Sequence, residues 1–323
     1  MNREVIQYGI SVIALLVMEL VYFRIAHRFQ IVDKPNDRSS HAHAVIRGGG
    51  VVFIAGVLLW FVQSGYAWPW FVLGALLIAI ISFMDDVMSL NPFLRILVQA
   101  CAVLIMFAQL WPIHWPIYLL VLAVIVCIGT LNAFNFMDGI NGMTGLYALA
   151  NLTTFAYINM HVVEFSNDTL ILTLIIAVLI FLFFNFRKRA ICFAGDVGSV
   201  TIAFIQIFFL ISLIQKTDNF FWVILFLVYG FDSVVTILYR LKIRENIFKP
   251  HRTHLYQYLS NEFHWSHRFV SILYMVVQMV LNAVLVYSFE RNFYFMPIIV
   301  AFTFVVLYML MRANVLRKVV KLN

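Results

Sequence analysis

Uninterrupted apolar runs constrain this chain more than any other feature. The stretches 171–184, 221–230 and 295–311 carry no charged side chain, and similar runs recur from end to end. They are too long and too uncharged for the core helices of a water-soluble domain, and they match the ~20 apolar residues that one bilayer crossing needs. Composition agrees. Of the 323 residues 63% are hydrophobic and 11% charged, against about 45–50% and about 25% in soluble domains. Backbone groups in lipid must be satisfied inside helices or closed barrels, and continuous runs lack the alternation of barrel strands. The chain is predicted to be an all-α polytopic membrane protein, a single domain over residues 1–323.

About eleven spans are expected, at 5–23, 51–64, 68–84, 93–110, 116–131, 143–160, 169–186, 199–214, 219–239, 269–288 and 293–311. The second is short, so a ten-span arrangement with a re-entrant element is the alternative. The connections then alternate sides. All but three of the 22 lysines and arginines fall on one side, the exceptions being Arg3, Lys216 and Arg291. By the positive-inside rule that side is cytoplasmic, with the N-terminus outside and the C-terminus inside. The net charge of +7 is thereby read as topology and attraction to anionic membrane lipids, with no nucleic-acid partner. Cys101, Cys127 and Cys192 form neither a disulfide framework nor a metal spacing. The first span lacks a small-residue cleavage site and reads as a retained anchor. Loops 24–50 and 240–268 are large enough to cap a site.

Four polar clusters interrupt the apolar background, all on the expected cytoplasmic side. Asp85-Asp86 closes the third span. Adjacent carboxylates repel unless a cation offsets them, and they oppose the dipole at a helix C-terminus. A hard ion with oxygen ligands, Mg²⁺ or Mn²⁺, suits them. Arg95, a little further on, could hold a phosphate, pair with this site or merely snorkel. Asn132, Asn135 and Asp138 recur at helical spacing on one stripe, fit for a sugar, a diphosphate or a metal shell. In Gly195-Asp196-Val197-Gly198-Ser199 the glycines permit close backbone approach, Asp196 suits a metal, and Ser199 could cap the helix that follows. His251-Arg252-Thr253-His254 lies in a basic loop, where phosphate contact or proton transfer fits better than zinc. Leu255, Leu259 and Phe263 after it suggest a short amphipathic helix on the membrane surface. Arg47-Gly48-Gly49-Gly50 reads as a tight turn or a phosphate cradle.

Taken in order, these clusters resemble the polyprenyl-phosphate N-acetylhexosamine-1-phosphate transferases. The resemblance runs from Asp33-Lys-Pro-Asn-Asp-Arg-Ser-Ser-His through the triple glycine to His-Arg-Thr-His-Leu-Tyr-Gln. Those outer segments look most like the O-antigen-initiating branch that transfers FucNAc- or QuiNAc-type phosphates. The resemblance implies catalytic roles for Asp85, Asp86, Asp138, His251 and His254. It implies a metal site at Asp196, Asp85 and Asn135, and substrate contacts at Asn132, Asn135, Arg47, Arg252, Gly195 and Ser199. The implied reaction passes a HexNAc-1-phosphate from a UDP-N-acetylhexosamine to undecaprenyl phosphate, with Mg²⁺ as cofactor, on the cytoplasmic face of a bacterial inner membrane. Two departures matter: Asp85-Asp86-Val87-Met88-Ser89 lacks the third acidic residue of some members, and H-R-T-H is not the consecutive-histidine motif of the pentapeptide branch. A GlcNAc-1-phosphate transferase of the common-antigen or teichoic-acid type is the runner-up. A lipid or solute transporter is the reading from another class, disfavoured because the carboxylates cluster at span ends. Oligomeric state is left open, a homodimer included.

Overall fold

The computed structural model describes residues 3–33, 44–246, 252–293 and 295–322. The described residues are mostly helical. Helix α1 (Arg3–Arg28) leads into a small antiparallel pair, β1 (Val32–Asp33) and β2 (Val45–Ile46). Then follow α2 (Val51–Gln63), α3 (Pro69–Met88), α4 (Pro92–Gln109), α5 (Ile117–Met137), α6 (Met143–His161), α7 (Asp168–Asn185) and α8 (Gly195–Thr217). A 3₁₀ turn (Phe220–Phe226) runs directly into α9 (Leu227–Lys242). The short α10 (Leu255–Gln257) continues as a π turn (Tyr258–Glu262), and α11 (His267–Glu290) and α12 (Met296–Leu322) complete the bundle.

Every expected span coincides with a helix. Nine segments among the described residues are long and apolar enough to cross a bilayer; α2, with 13 residues, is shorter. Helix α6 is the other exception, and its sequence explains why. It carries Thr144, Asn151, Thr154 and Asn159 among its apolar residues, and packs them inward against α7, α8 and α11.

Helix α8 is the central post. Residues 197 to 214 are buried without exception, packed by α2, α3, α5 and α6. An apolar helix enclosed on all sides can be hydrophobic all round. Phe71 of α3 stacks on Phe208 of α8 at 4.2 Å between centroids. The outer helices α4, α5 and α12 expose their large side chains, such as Leu104, Leu122 and Phe302, as lipid-facing helices would.

A buried chain of amides fixes the far half of the bundle. The Tyr147 hydroxyl donates to Gln278 Oε1 at 2.7 Å, and Gln278 Nε2 donates to Asn282 at 2.7 Å. Asn282 donates to Asn151 at 3.1 Å, and Asn151 to Gln206 of α8 at 3.1 Å. Between helices that share an apolar surround, such bonds supply the specificity that burial alone cannot.

Two expectations need correction. Helix α8 begins at Gly195, not after Ser199. Leu255 and Leu259 do not lie on a membrane surface: they are 3% and 2% exposed and sit in the protein core. Their spacing signals a buried face, because the loop folds back onto the bundle.

Candidate active site

The site forms where the first loop meets the start of α8. Backbone pairing zips the two together: Phe193 N–H donates to Ile46 at 2.8 Å, Gly49 N–H to Phe193 at 2.8 Å, and Gly50 N–H to Ala194 at 3.1 Å. Gly50 and Gly198 touch backbone to backbone. A Cβ added at Gly198 would lie 2.6 Å from Gly50 Cα, so the triple glycine provides close approach. Gly195 has φ +71°, and a side chain there would strike Asp86 Oδ2 at 2.6 Å. Its role is to let the chain turn over a carboxylate.

Asp86 is that carboxylate. It is fully buried and accepts from the N–H groups of Asp196 (2.9 Å) and Val197 (3.0 Å), and Arg47 Nε lies 2.7 Å from its Oδ1. The acid pair looked misplaced at the C-terminus of α3. Asp86 in fact caps the N-terminus of α8, where both the free amides and the helix dipole favour it. The cap assigned to Ser199 therefore belongs to Asp86. Ser199 is buried in the first turn and donates to Asn135 Oδ1 at 3.0 Å and to the Gly195 carbonyl at 3.1 Å.

The cap aims Asp196. Its carboxylate lies 3.5 Å from Arg47 Nη2, 3.6 Å from Arg95 Nη2 and 3.3 Å from Asn135 Nδ2. Asp85 completes the group: Oδ2 pairs with Arg95 Nη1 at 2.7 Å and Oδ1 accepts from Leu90 N–H at 2.6 Å. Three carboxylates thus share two guanidinium groups, leaving a net negative centre. The contacts of Asp196 with Arg47, Arg95 and Asn135 are all 3.3 Å or longer and its carboxyl lies against that of Asp85, so Asp85 and Asp196 together offer oxygens to an incoming cation.

Asp138 ends α5 beside this centre and accepts from the Thr144 hydroxyl at 2.7 Å. Burial pushes its carboxyl up to about 6, against the pull of Thr144 and with a further push from Asp86. An acid near neutrality suits proton transfer.

Among the sequence-predicted residues, Asp85, Asp86, Arg47, Asn135, Asp138, Gly195, Asp196 and Ser199 come together. Asn132 does not join them, since its amide donates to Gln99 of α4 at 3.0 Å and to Ile128 O. His251 lies outside the described residues. His254 is buried, with Nδ1 2.9 Å from Asp232 Oδ1. Arg252 has two buried guanidinium nitrogens, Nε and Nη2, without a hydrogen-bond partner among the described residues. An unmatched buried guanidinium is costly unless an anion completes it.

Sequence reasoning passed over Asp232 and Tyr274, although a signal existed for the first. Asp232 is an ionisable residue inside an apolar span, and such residues are expensive to bury unless paired.

The donor set suits a divalent ion only when substrate completes it. Among the described residues no three His, Cys, Asp or Glu side chains gather as a complete metal cage. Mg²⁺ does not require one, as it is held by one or two carboxylates together with substrate phosphates and water. Asp196, with Asp85 beside it, fits that pattern. Asn135 turns its N–H toward Asp196 and its oxygen toward Ser199, and so orients the carboxylate.

Comparison with known proteins follows the same lines. Residues 68–214, which hold Asp85, Asp86, Arg95, Asn135, Asp138 and Asp196, match the glycosyl transferase family 4 domain. A probable undecaprenyl-phosphate N-acetylglucosaminyl 1-phosphate transferase of Bacillus subtilis (strain 168) is 27% identical over 299 residues, covering 85% of this chain and 82% of that protein. The matched domain and this relative make the chain similar to the polyprenyl-phosphate N-acetylhexosamine-1-phosphate transferases. It is a phosphoglycosyl transferase. An undecaprenyl-phosphate alpha-N-acetylglucosaminyl 1-phosphate transferase of Salmonella typhi is 26% identical over 260 residues, covering 72% and 70% of the two chains. A phospho-N-acetylmuramoyl-pentapeptide-transferase of Thermotoga petrophila is 28% identical over 209 residues, 59% of this chain and 67% of that one.

Proposed function

We propose that the protein transfers a HexNAc-1-phosphate from a UDP-sugar to undecaprenyl phosphate, releasing UMP, at the cytoplasmic face of a bacterial inner membrane. One observation carries this reading. Asp196 is aimed by the Asp86 cap into a centre of three carboxylates and two arginines, which is short of positive charge and ready for a cation with a diphosphate. An oxygen of the acceptor phosphate attacks the sugar-linked phosphorus, and the bond from that phosphorus to the bridging oxygen breaks. UMP leaves with the electron pair. Asp138 is the group suited to take a proton from the acceptor phosphate, while Arg95, paired with Asp85, orients it. Arg252 holds the donor phosphates. Mg²⁺, held by Asp196 and Asp85, would supply charge neutralisation on the diphosphate. The described parts of the two long loops, 29–33 with 44–50 and 252–266, would cap the site.

The outer sequence segments point to FucNAc- or QuiNAc-type donors in O-antigen initiation. The similarity to N-acetylglucosaminyl 1-phosphate transferases favours a GlcNAc donor as the second reading. Purified protein incubated with undecaprenyl phosphate, Mg²⁺ and a panel of UDP-HexNAc donors separates the two by UMP release. A lack of UMP release with every donor of the panel sinks the reaction.

A further inference from the structure

The loop that carries Arg252 is tied to the bundle through the residues that directly follow it. His254, two residues on, is 1% exposed, with Nδ1 2.9 Å from Asp232 Oδ1. Asp232 is fully buried in α9, and its other oxygen accepts from the Tyr274 hydroxyl of α11 at 2.6 Å. The main chain at His254 is held as well, because its N–H donates to Gln257 Oε1 at 3.2 Å within a reciprocal cap of α10. Thr253, between the two, offers its carbonyl to Arg312 Nη2 of α12 at 3.0 Å, and Arg312 is itself 3% exposed. Further on, the Tyr256 hydroxyl donates to the Phe136 carbonyl at 2.9 Å. That bond anchors the loop to the end of α5, one residue from Asn135 and two from Asp138. The His254 ring lies 6.3 Å from the Phe136 ring and 5.8 Å from Tyr256. Three helices and the catalytic stripe thus fix one short segment.

We propose that Asp232, Tyr274 and His254 are positioning residues that act through Arg252, seating its guanidinium for the phosphates of the nucleotide-sugar donor. The proposal rests on the reaction given above and departs from the catalytic role expected for His254. A carboxylate inside an apolar span is a costly anchor, and its retention is explained when a precise loop position depends on it. The Asp232 carboxylate also fixes which imidazole nitrogen carries a proton: Nδ1–H donates to Oδ1. The imidazole ring stacks on Tyr256 and lies tilted against Phe136. By contrast, Arg252 keeps Nε and Nη2 buried without partners among the described residues, which is how a preformed half of a charge-assisted pair looks.

The test reads donor affinity and turnover separately on the full-length protein in detergent. Arg252→Ala is expected to raise donor KM, and donor Kd by calorimetry, by about 10- to 100-fold, with kcat and acceptor KM changed by less than about threefold. Asp232→Asn, Tyr274→Phe and His254→Ala shift the same two quantities in the same direction. In an Arg252→Ala background Asp232→Asn adds less than about twofold, since both changes remove one interaction. His254→Asn, whose amide nitrogen can stand where Nδ1 stands, restores donor affinity to within about threefold of the parent. Unfolding temperatures measured alongside identify any variant that has merely lost its fold, and Tyr274→Phe, which removes one bond and no charge, keeps the question open to decision. Three outcomes overturn the proposal: unchanged donor affinity in Arg252→Ala, an effect on acceptor KM alone, or Asp232→Asn and His254→Asn acting on kcat and adding fully to Arg252→Ala. Because calorimetry reads donor binding without turnover, a parent protein that binds donor but releases no UMP defeats the reaction and leaves the seating of Arg252 separately measured.

Discussion

At the scale of single residues, the site is a matter of who neutralises whom. Arg47 spans two carboxylates with different nitrogens, Nε to Asp86 at 2.7 Å and Nη2 toward Asp196 at 3.5 Å. A lysine offers one point of charge on a flexible stem and cannot make both contacts. Arg47→Lys is therefore expected to lower kcat by about tenfold or more, with only a small change in unfolding temperature. An equal loss of stability and activity would mean that the arginine serves the fold alone. Asp138 gives a prediction in pH. Its carboxyl is raised to about 6, so it holds its proton below that value and is ionised above. If it accepts a proton from the acceptor phosphate, kcat falls as pH drops through about 6 and levels off above about 7. Asp138→Asn should abolish that acid limb together with most of the activity. An acid limb that survives in this variant assigns the titration to another group. These roles were only half legible in the sequence. The paired aspartates and Asp196 stood out as charge in an apolar chain, whereas the cap that Asp86 places on α8 joins residues 110 positions apart. No local pattern reveals such a contact.

At the scale of elements, two backbone surfaces must meet for the site to exist. Gly50 precedes α2 and Gly198 sits in the first turn of α8, and their contact leaves no room for a methyl group. Gly198→Ala is expected to push the first loop away from α8, break the zip between 46–50 and 191–194, and separate Arg47 from both carboxylates. Activity should fall by at least about 100-fold, while the helix content measured by circular dichroism stays within a few per cent. A fully active Gly198→Ala would show that the approach is dispensable. Helix α11 supplies a second case, far from the chemistry. Gln278 bonds Tyr147, the Val228 N–H, the Ile224 carbonyl and Asn282. Interhelical bonds of this sort average about 0.6 kcal/mol in a membrane protein, so Gln278→Leu should cost about 2 kcal/mol by detergent unfolding and leave the donor KM unchanged. The helices themselves were readable, because apolar length and a lack of charge dictate them. The errors came where a helix ended against something else. Ser199 looked like a cap because the partner that supplies the real one lies on α3. Leu255 and Leu259 looked like a membrane-surface stripe because a four-residue period cannot say whether lipid or protein covers it.

At the scale of the whole molecule, charge decides how the bundle sits. The aspartate centre, the 187–189 hairpin and the basic end of α12 belong to one end by the alternation of spans, while Lys216 and Arg291 belong to the other. Lys188 and Lys216 are both exposed and so both suited to labelling. Arg187 packs over Phe183 at 4.7 Å in a tight turn after α7, and Lys216 is exposed in the last turn of α8. Because α8 alone separates these two segments, a cysteine placed at Lys188 and one placed at Lys216 must face opposite compartments if α8 crosses the bilayer. With the native cysteines replaced by alanine, a membrane-impermeant maleimide added to intact cells is expected to label Lys216→Cys and to spare Lys188→Cys until the membrane is opened. The reverse pattern would put the carboxylates on the outer face, away from any cytoplasmic nucleotide-sugar, and the proposed reaction could not draw on its donor. Labelling of both in intact cells would mean that α8, for all its burial, does not span. The positive-inside bias supports the first pattern, since reversing the orientation would carry nearly all the lysines and arginines across the membrane at a cost no other feature of the chain offsets.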